Sequence, residues 1–193
     1  MSIELLVLPL SRYLSGDYIS PAMRAAWDLG SDYVRVSPNE PPLRIPAGQV
    51  LGGAAAAARR AEILPMVVDM QRNVTGRVDA WDERVGGDTP GFILDPVAFE
   101  ALSRDALATE RTSIFKALTR TAQASHLGRG QFFLPHPFRH VLDQGGWMLA
   151  SLPRARQELQ DVMWSADALP AVTVLTEAIS LACKVRLPLV LDW

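Results

Sequence analysis

His136 and His140 stand four residues apart, the spacing that places two imidazoles on one helix face as metal ligands. Asp143 or His126 could complete such a site, and Pro137 is tolerated in a first helical turn. That proline, however, occupies the place of the glutamate in a His-Glu-x-x-His motif. Phe132, Phe133 and Phe138 nearby suit histidines that pack in turns, so the pair ranks as a secondary metal candidate. Serine chemistry has no Gly-x-Ser-x-Gly elbow, and Ser151 is accounted for as a helix N-cap. Gly48, Gly52 and Gly53 open an Ala-rich helix, and helix N-termini do bind anions. Their spacing matches neither dinucleotide nor Walker loops, and the segment before them is Pro-rich rather than a strand. The sequence therefore assigns no catalytic residue and no cofactor.

Acidic residues offer a different chemistry. Asp79, Asp82, Glu83 and Asp88 fall in a Gly-bordered irregular stretch between Asn73 and Gly91. Carboxylates so grouped could bind a cation or act as general acid and base. The spacing is not that of an EF-hand, and the interleaved Arg77 and Arg84 neutralise much of the charge, which favours a solvated loop, or else a protein-contact loop, over catalysis. Trp81 within the stretch suits the anchor of a protein contact, the alternative being that it tucks back into the core. Long loops in small domains commonly carry function. The expected contact surface is Asp79, Trp81, Asp82, Glu83 and Asp88, joined by Asp17 and Tyr18.

These residues must be held by elements that the apolar pattern outlines. Ile3 to Leu8 is a continuous apolar run with one charge, too short for a helix, and reads as a buried strand ended by Pro9. Ser11 to Ser20 reads as a polar connection. Ser20 and Pro21 form an N-cap and first position for a helix over 22–29, stopped by Gly30. Tyr33 to Val36 alternates as a strand, and Pro38 to Pro46 reads as a loop. Ala54 to Glu62 is helical, Pro65 kinks or ends it, and Met66 to Arg72 fits helix or strand. Asp95 and Pro96 open a helix to about Leu107. Thr109 to Ser125 predicts another, with Ile114, Phe115, Leu118 and Ala122 on its face. Gln131 to Leu134 suggests a short strand, Gly145-Gly146 a break, and Ser151 the cap of a helix bearing Leu152, Ala155 and Leu159. A last amphipathic helix (Val172, Leu175, Ile179, Ala182, Cys183) runs into Leu187 to Leu191, the natural sheet partner of Ile3 to Leu8. Pro188 lacks an N–H and should start that strand or face an edge.

Composition sets the outer bounds. At 193 residues, 49% of them apolar, the chain fits a single globular domain, 1–193. A net charge of -2, with scattered arginines and Arg59-Arg60 as their adjacent pair, argues against a general affinity for nucleic acid. One cysteine, Cys183, excludes an internal disulfide and a cysteine-based zinc finger, and it reads as a core residue. The start Met-Ser-Ile-Glu lacks a basic signal-peptide region, and the apolar runs fall short of a membrane span, so a cytoplasmic location is expected.

Three stretches carry a resemblance. They are Ile3 to Leu8 leading into Pro9-Leu-Ser-Arg-Tyr-Leu-Ser-Gly-Asp-Tyr18, then Phe132-Phe-Leu-Pro-His136 ahead of a Gly-Gly and a helix, and the terminal helix followed by Arg186-Leu-Pro-Leu-Val-Leu-Asp-Trp193. In layout the chain resembles small cytosolic bacterial immunity proteins that neutralise polymorphic or contact-delivered toxins. The resemblance implies a non-catalytic inhibitor that covers the active site of a cognate toxin, and it assigns no residue a role. The expected fold is α/β or α+β: one helix-rich domain with a small sheet containing both terminal strands. Two other functions stay open: an enzyme using His136, His140 and a carboxylate, and a structural assembly component.

Overall fold

The two ends of the chain lie side by side in one sheet. The computed structural model describes residues 3–35, 42–47, 54–86, 91–112 and 124–193. Strand β1 (Ile3–Val7) pairs antiparallel with the last strand, β8 (Leu189–Asp192), in the register Glu4↔Asp192 to Val7↔Leu189. All five β1 residues are buried, as a strand covered on both faces requires. Alternation divides them. Ile3, Leu5 and Val7 join one apolar core, and Leu6 joins a second on the opposite face.

The described elements run in chain order as β1, α1 (Leu10–Ser15), α2 (Pro21–Asp28), β2 (Tyr33–Arg35), β3 (Leu43–Ile45), α3 (Ala54–Thr75), β4 (Gly91–Leu94), α4 (Pro96–Thr112), α5 (His126–Arg129), β5 (Phe132–Leu134), β6 (Leu142–Gln144), β7 (Trp147–Ser151), α6 (Leu152–Asp161), α7 (Leu169–Val185) and β8. Six strands form a mixed sheet in the order β4-β1-β8-β5-β7-β6, and β2 and β3 make a separate pair. Only β5 and β7 run parallel within the larger sheet. Helices α4, α6 and α7 cover one face through Leu102, Leu152, Leu175 and Ile179. The other face is covered by Leu10 of α1, Val67 and Met70 of α3, and Ala80 and Trp81 from the segment after α3. The fold is thus α+β, helix-rich, with both terminal strands in the sheet.

Several local signals act as expected. The Ser20 hydroxyl accepts from the Met23 N–H at 3.2 Å, with Pro21 opening α2. Asp95 Oδ1 accepts from the Ala98 N–H at 2.9 Å. Ser151 Oγ accepts from the Arg154 N–H at 3.4 Å at the start of α6. Pro188 stands one residue ahead of β8, where its missing N–H costs no ladder bond, and its carbonyl accepts from the Leu8 N–H at 3.2 Å. Cys183 is half-buried and packs against the larger core, and burial pushes its thiol pKa up. Ser20→Ala is expected to lower stability by about 1 kcal/mol, read as a shift in the urea midpoint at unchanged slope.

Other expectations need correction. Ser11 to Ser20 is not wholly a connection, because α1 forms across its first half. The Pro-rich stretch contains β3, held to β2 with Tyr33 opposite Ile45. Helix α3 passes unbroken through Pro65, with Val67, Met70 and Gln71 buried at helical spacing beyond it. Thr109 continues α4 rather than starting a new helix, and Ser125 is an N-cap instead of a helix end. Two further sheet elements join those expected: β4, and the β6–β7 hairpin, which turns on Gly145 and Gly146 with φ of 64° and 91°. Val36, Asp88, the Gly48 to Gly53 stretch and the series Ile114, Phe115, Leu118 and Ala122 lie outside the described residues.

Candidate functional site

The acidic segment that follows α3 is built as a brace. Gly76 leaves the helix with φ of 72°, and Thr75 Oγ1 accepts from the Arg77 N–H at 3.1 Å. Ala80 and Trp81 then turn inward, leaving Trp81 only 3% exposed. Gln71 donates from Nε2 to the Trp81 carbonyl at 3.1 Å. The Trp81 indole N–H donates to Glu83 Oε1. Glu83 is itself buried, and its carboxylate accepts the N–H of Leu10 at 3.1 Å and of Ser11 at 2.9 Å. Pro9, the N-cap of α1, provides no side-chain cap, so Glu83 does this from 72 residues away along the chain. A negative charge there also complements the helix dipole. Trp81 therefore realises the core alternative, and Glu83 faces inward with it.

Asp79 and Asp82 remain on the surface. Asp79 takes two hydrogen bonds from Arg77, at 3.0 and 3.2 Å, and that guanidinium holds its carboxyl below the usual range. Asp82 Oδ1 accepts from the Arg84 N–H at 2.8 Å, which stiffens the turn.

The structure brings Asp17 and Tyr18 close to this segment. Arg60 of α3 donates to the Glu83 carbonyl and to Ser11 Oγ, and its Nη1 lies 3.9 Å from the Asp17 carboxylate. Arg12 approaches the same carboxylate at 3.7 Å. Tyr18 is buried, stacks on Tyr13 with centroids 5.5 Å apart, and donates to Asp192 Oδ2 at 3.1 Å. Tyr13 donates to the other oxygen of Asp192 at 2.9 Å. Arg12, Tyr13, Arg60 and Asp192 were not foreseen as part of the site. The Arg59-Arg60 pair on α3 was the one signal that could have pointed to it.

The histidines fall elsewhere. His140 is exposed, His136 half-buried, and His126 only 1% exposed. Nδ1 of His126 accepts the Ser151 N–H at 2.9 Å, and Nε2 faces the Arg139 carbonyl at 3.4 Å. This arrangement selects the neutral ring with its proton on Nε2. Its lone pair is then engaged by the main chain, so a metal or a proton could bind there only by breaking the bond to the Ser151 amide. Burial is the main cause that holds the His126 pKa below its ordinary value. Glu158 of α6 caps α5, accepting from Ser125 Oγ and from the N–H groups of His126 and Leu127 at 2.7 to 3.0 Å. Among the described residues no group of three or more His, Cys, Asp or Glu is placed to hold a metal ion. Among them, too, no helix is long and apolar enough to cross a membrane.

Comparison with protein-family models, curated proteins and solved structures returned no match.

Proposed function

We propose that this chain is a non-catalytic binding protein of the immunity or antitoxin kind, which covers the active site of a cognate protein toxin. The observation that supports this reading is the brace. Trp81 and Glu83 pin the acidic segment to α1 and α3, while Asp79 and Asp82 point outward. A surface held before binding loses little entropy on association, which favours a tight and specific complex. The bond from Arg77 to Asp79 is solvent-exposed, and such pairs are worth little, so a basic group of a partner can displace it. Carboxylates at the rim would steer a basic toxin cleft.

The expected partner is a protein toxin, to be sought among the neighbouring genes, and cells producing that toxin should be protected by co-expression. Alanine at Trp81 or Glu83 would confuse folding with binding, so the informative change is Asp79→Ala with Asp82→Ala. Both side chains are exposed, so the melting temperature should hold. Affinity should fall about tenfold at low salt, chiefly through association rate, as read by surface plasmon resonance. Unchanged affinity would move the contact to another surface, and failure to protect would remove the reading itself.

A further inference from the structure

Three stretches that are separate in sequence meet at the His126 ring. The ring belongs to α5, its Nδ1 holds the amide that joins β7 to α6, and its Nε2 faces the 135–141 loop through the Arg139 carbonyl. Phe138 of that loop packs edge-on against it, with centroids 5.8 Å apart. We propose that His126 is an acid-operated latch: the neutral ring fastens α5 and the 135–141 loop to the β7–α6 junction, and one proton on Nδ1 releases them.

The step is a single proton taken from solvent. Once Nδ1 carries it, the Ser151 N–H loses its acceptor and faces another N–H, so one of the two must move. The imidazolium would also be buried, at a cost that calls for a partner. Glu158 of α6 attracts it, but that carboxylate already accepts three bonds at the start of α5. Arg154 of α6 and His140 of the loop oppose it. Glu110 of α4 is engaged by Arg129 of α5 at 2.7 Å and by the Ser125 N–H, while β7 presents the Ser151 amide. Because burial lowers the pKa in the folded state, the unfolded or opened chain binds the proton more readily. The stabilisation is therefore complete above the ordinary value of 6.5 and is lost as pH falls below it toward the folded-state value.

The test is amide hydrogen exchange by NMR at pH 7.5 and 5.0, corrected for intrinsic rates, on the wild type and on His126→Asn. Asparagine Oδ1 can stand in for Nδ1 as acceptor and does not titrate. Protection of the Ser151 amide should fall at least tenfold at pH 5.0 in the wild type, while the β1 and β8 amides keep theirs and His126→Asn shows no change. Equal Ser151 protection at both pH values overturns the latch. So does a loss shared by His126→Asn, or one shared by β1 and β8, which would be global unfolding. Should His126→Asn fail to fold, imidazole nitrogen shifts of the wild type decide. A proton found on Nδ1 at pH 7.5, or titration that leaves the Ser151 amide shift unmoved, overturns the proposal.

Discussion

Glu83→Ala is expected to lower the unfolding free energy by at least about 3 kcal/mol, since three buried donors lose their acceptor at about 1–3 kcal/mol each. The donors are the main-chain N–H groups of Leu10 and Ser11 and the Trp81 indole. None can turn to water without moving α1, because Leu10, Ser11 and Trp81 are all buried. A six-residue helix has no stability of its own, so α1 exists only while its first turn is capped and its apolar side is packed. Losing it would also loosen Arg60, which binds Ser11 on one side and the Glu83 carbonyl on the other. Glu83→Gln keeps the volume and one acceptor oxygen but turns an amide N–H toward donors, and about half the loss is expected. Urea denaturation separates these outcomes. A Glu83→Ala loss under 1 kcal/mol would mean that the carboxylate does not cap α1.

Gly130→Ala is expected to cost about 3 kcal/mol, the upper range for overpacking a filled interior. Gly130 has an ordinary extended backbone with φ of -75°, so the reason is space and not conformation. An added Cβ would lie 2.5 Å from Ala150 Cβ, 2.6 Å from the His126 carbonyl oxygen and 2.8 Å from Phe133 Cζ. The carbonyl cannot swing away, because it accepts the N–H of Gly130 itself at 2.9 Å. The change would push α5 off the sheet at the point where His126 is held. Gly86→Ala is the control: among the described residues nothing lies within 4 Å of its added Cβ, and stability should be unchanged. Thermal unfolding of the two variants checks both. A Gly130→Ala protein as stable as the wild type would mean that α5 leaves room for a methyl group against Ala150 of β7.

Much of the frame was legible because its signals are local. The cap and proline at Ser20-Pro21, the Asp95-Pro96 start and the Ser151 cap each mark a helix within a few residues. The apolar runs at the two termini are too short and too continuous for anything but buried strands, and their pairing follows. The misses share a cause. Helix α1 is short and partly polar, and the carboxylate that completes it lies 72 residues downstream. Strand β4 is a four-residue piece that β1 recruits, with Phe92 opposite Leu5. Met66 to Thr75 is helical because the second core takes Val67 and Met70 on one side, which no local propensity could decide.

For the acidic segment, the sequence by itself determined the chemistry: carboxylates, interleaved arginines and one tryptophan in a Gly-bordered stretch. It also determined that both termini would be strands. Only the tertiary structure decided which way the segment faces. Trp81 and Glu83 turn inward because α1 lacks a cap of its own and the sheet face beneath it needs an apolar cover. Asp79 and Asp82 stay outside, where they bond to the Arg77 guanidinium and the Arg84 N–H. The same holds for His126, whose role depends on an amide 25 residues away in β7. Such pairings join positions far apart in the chain, and only packing brings them within hydrogen-bond range.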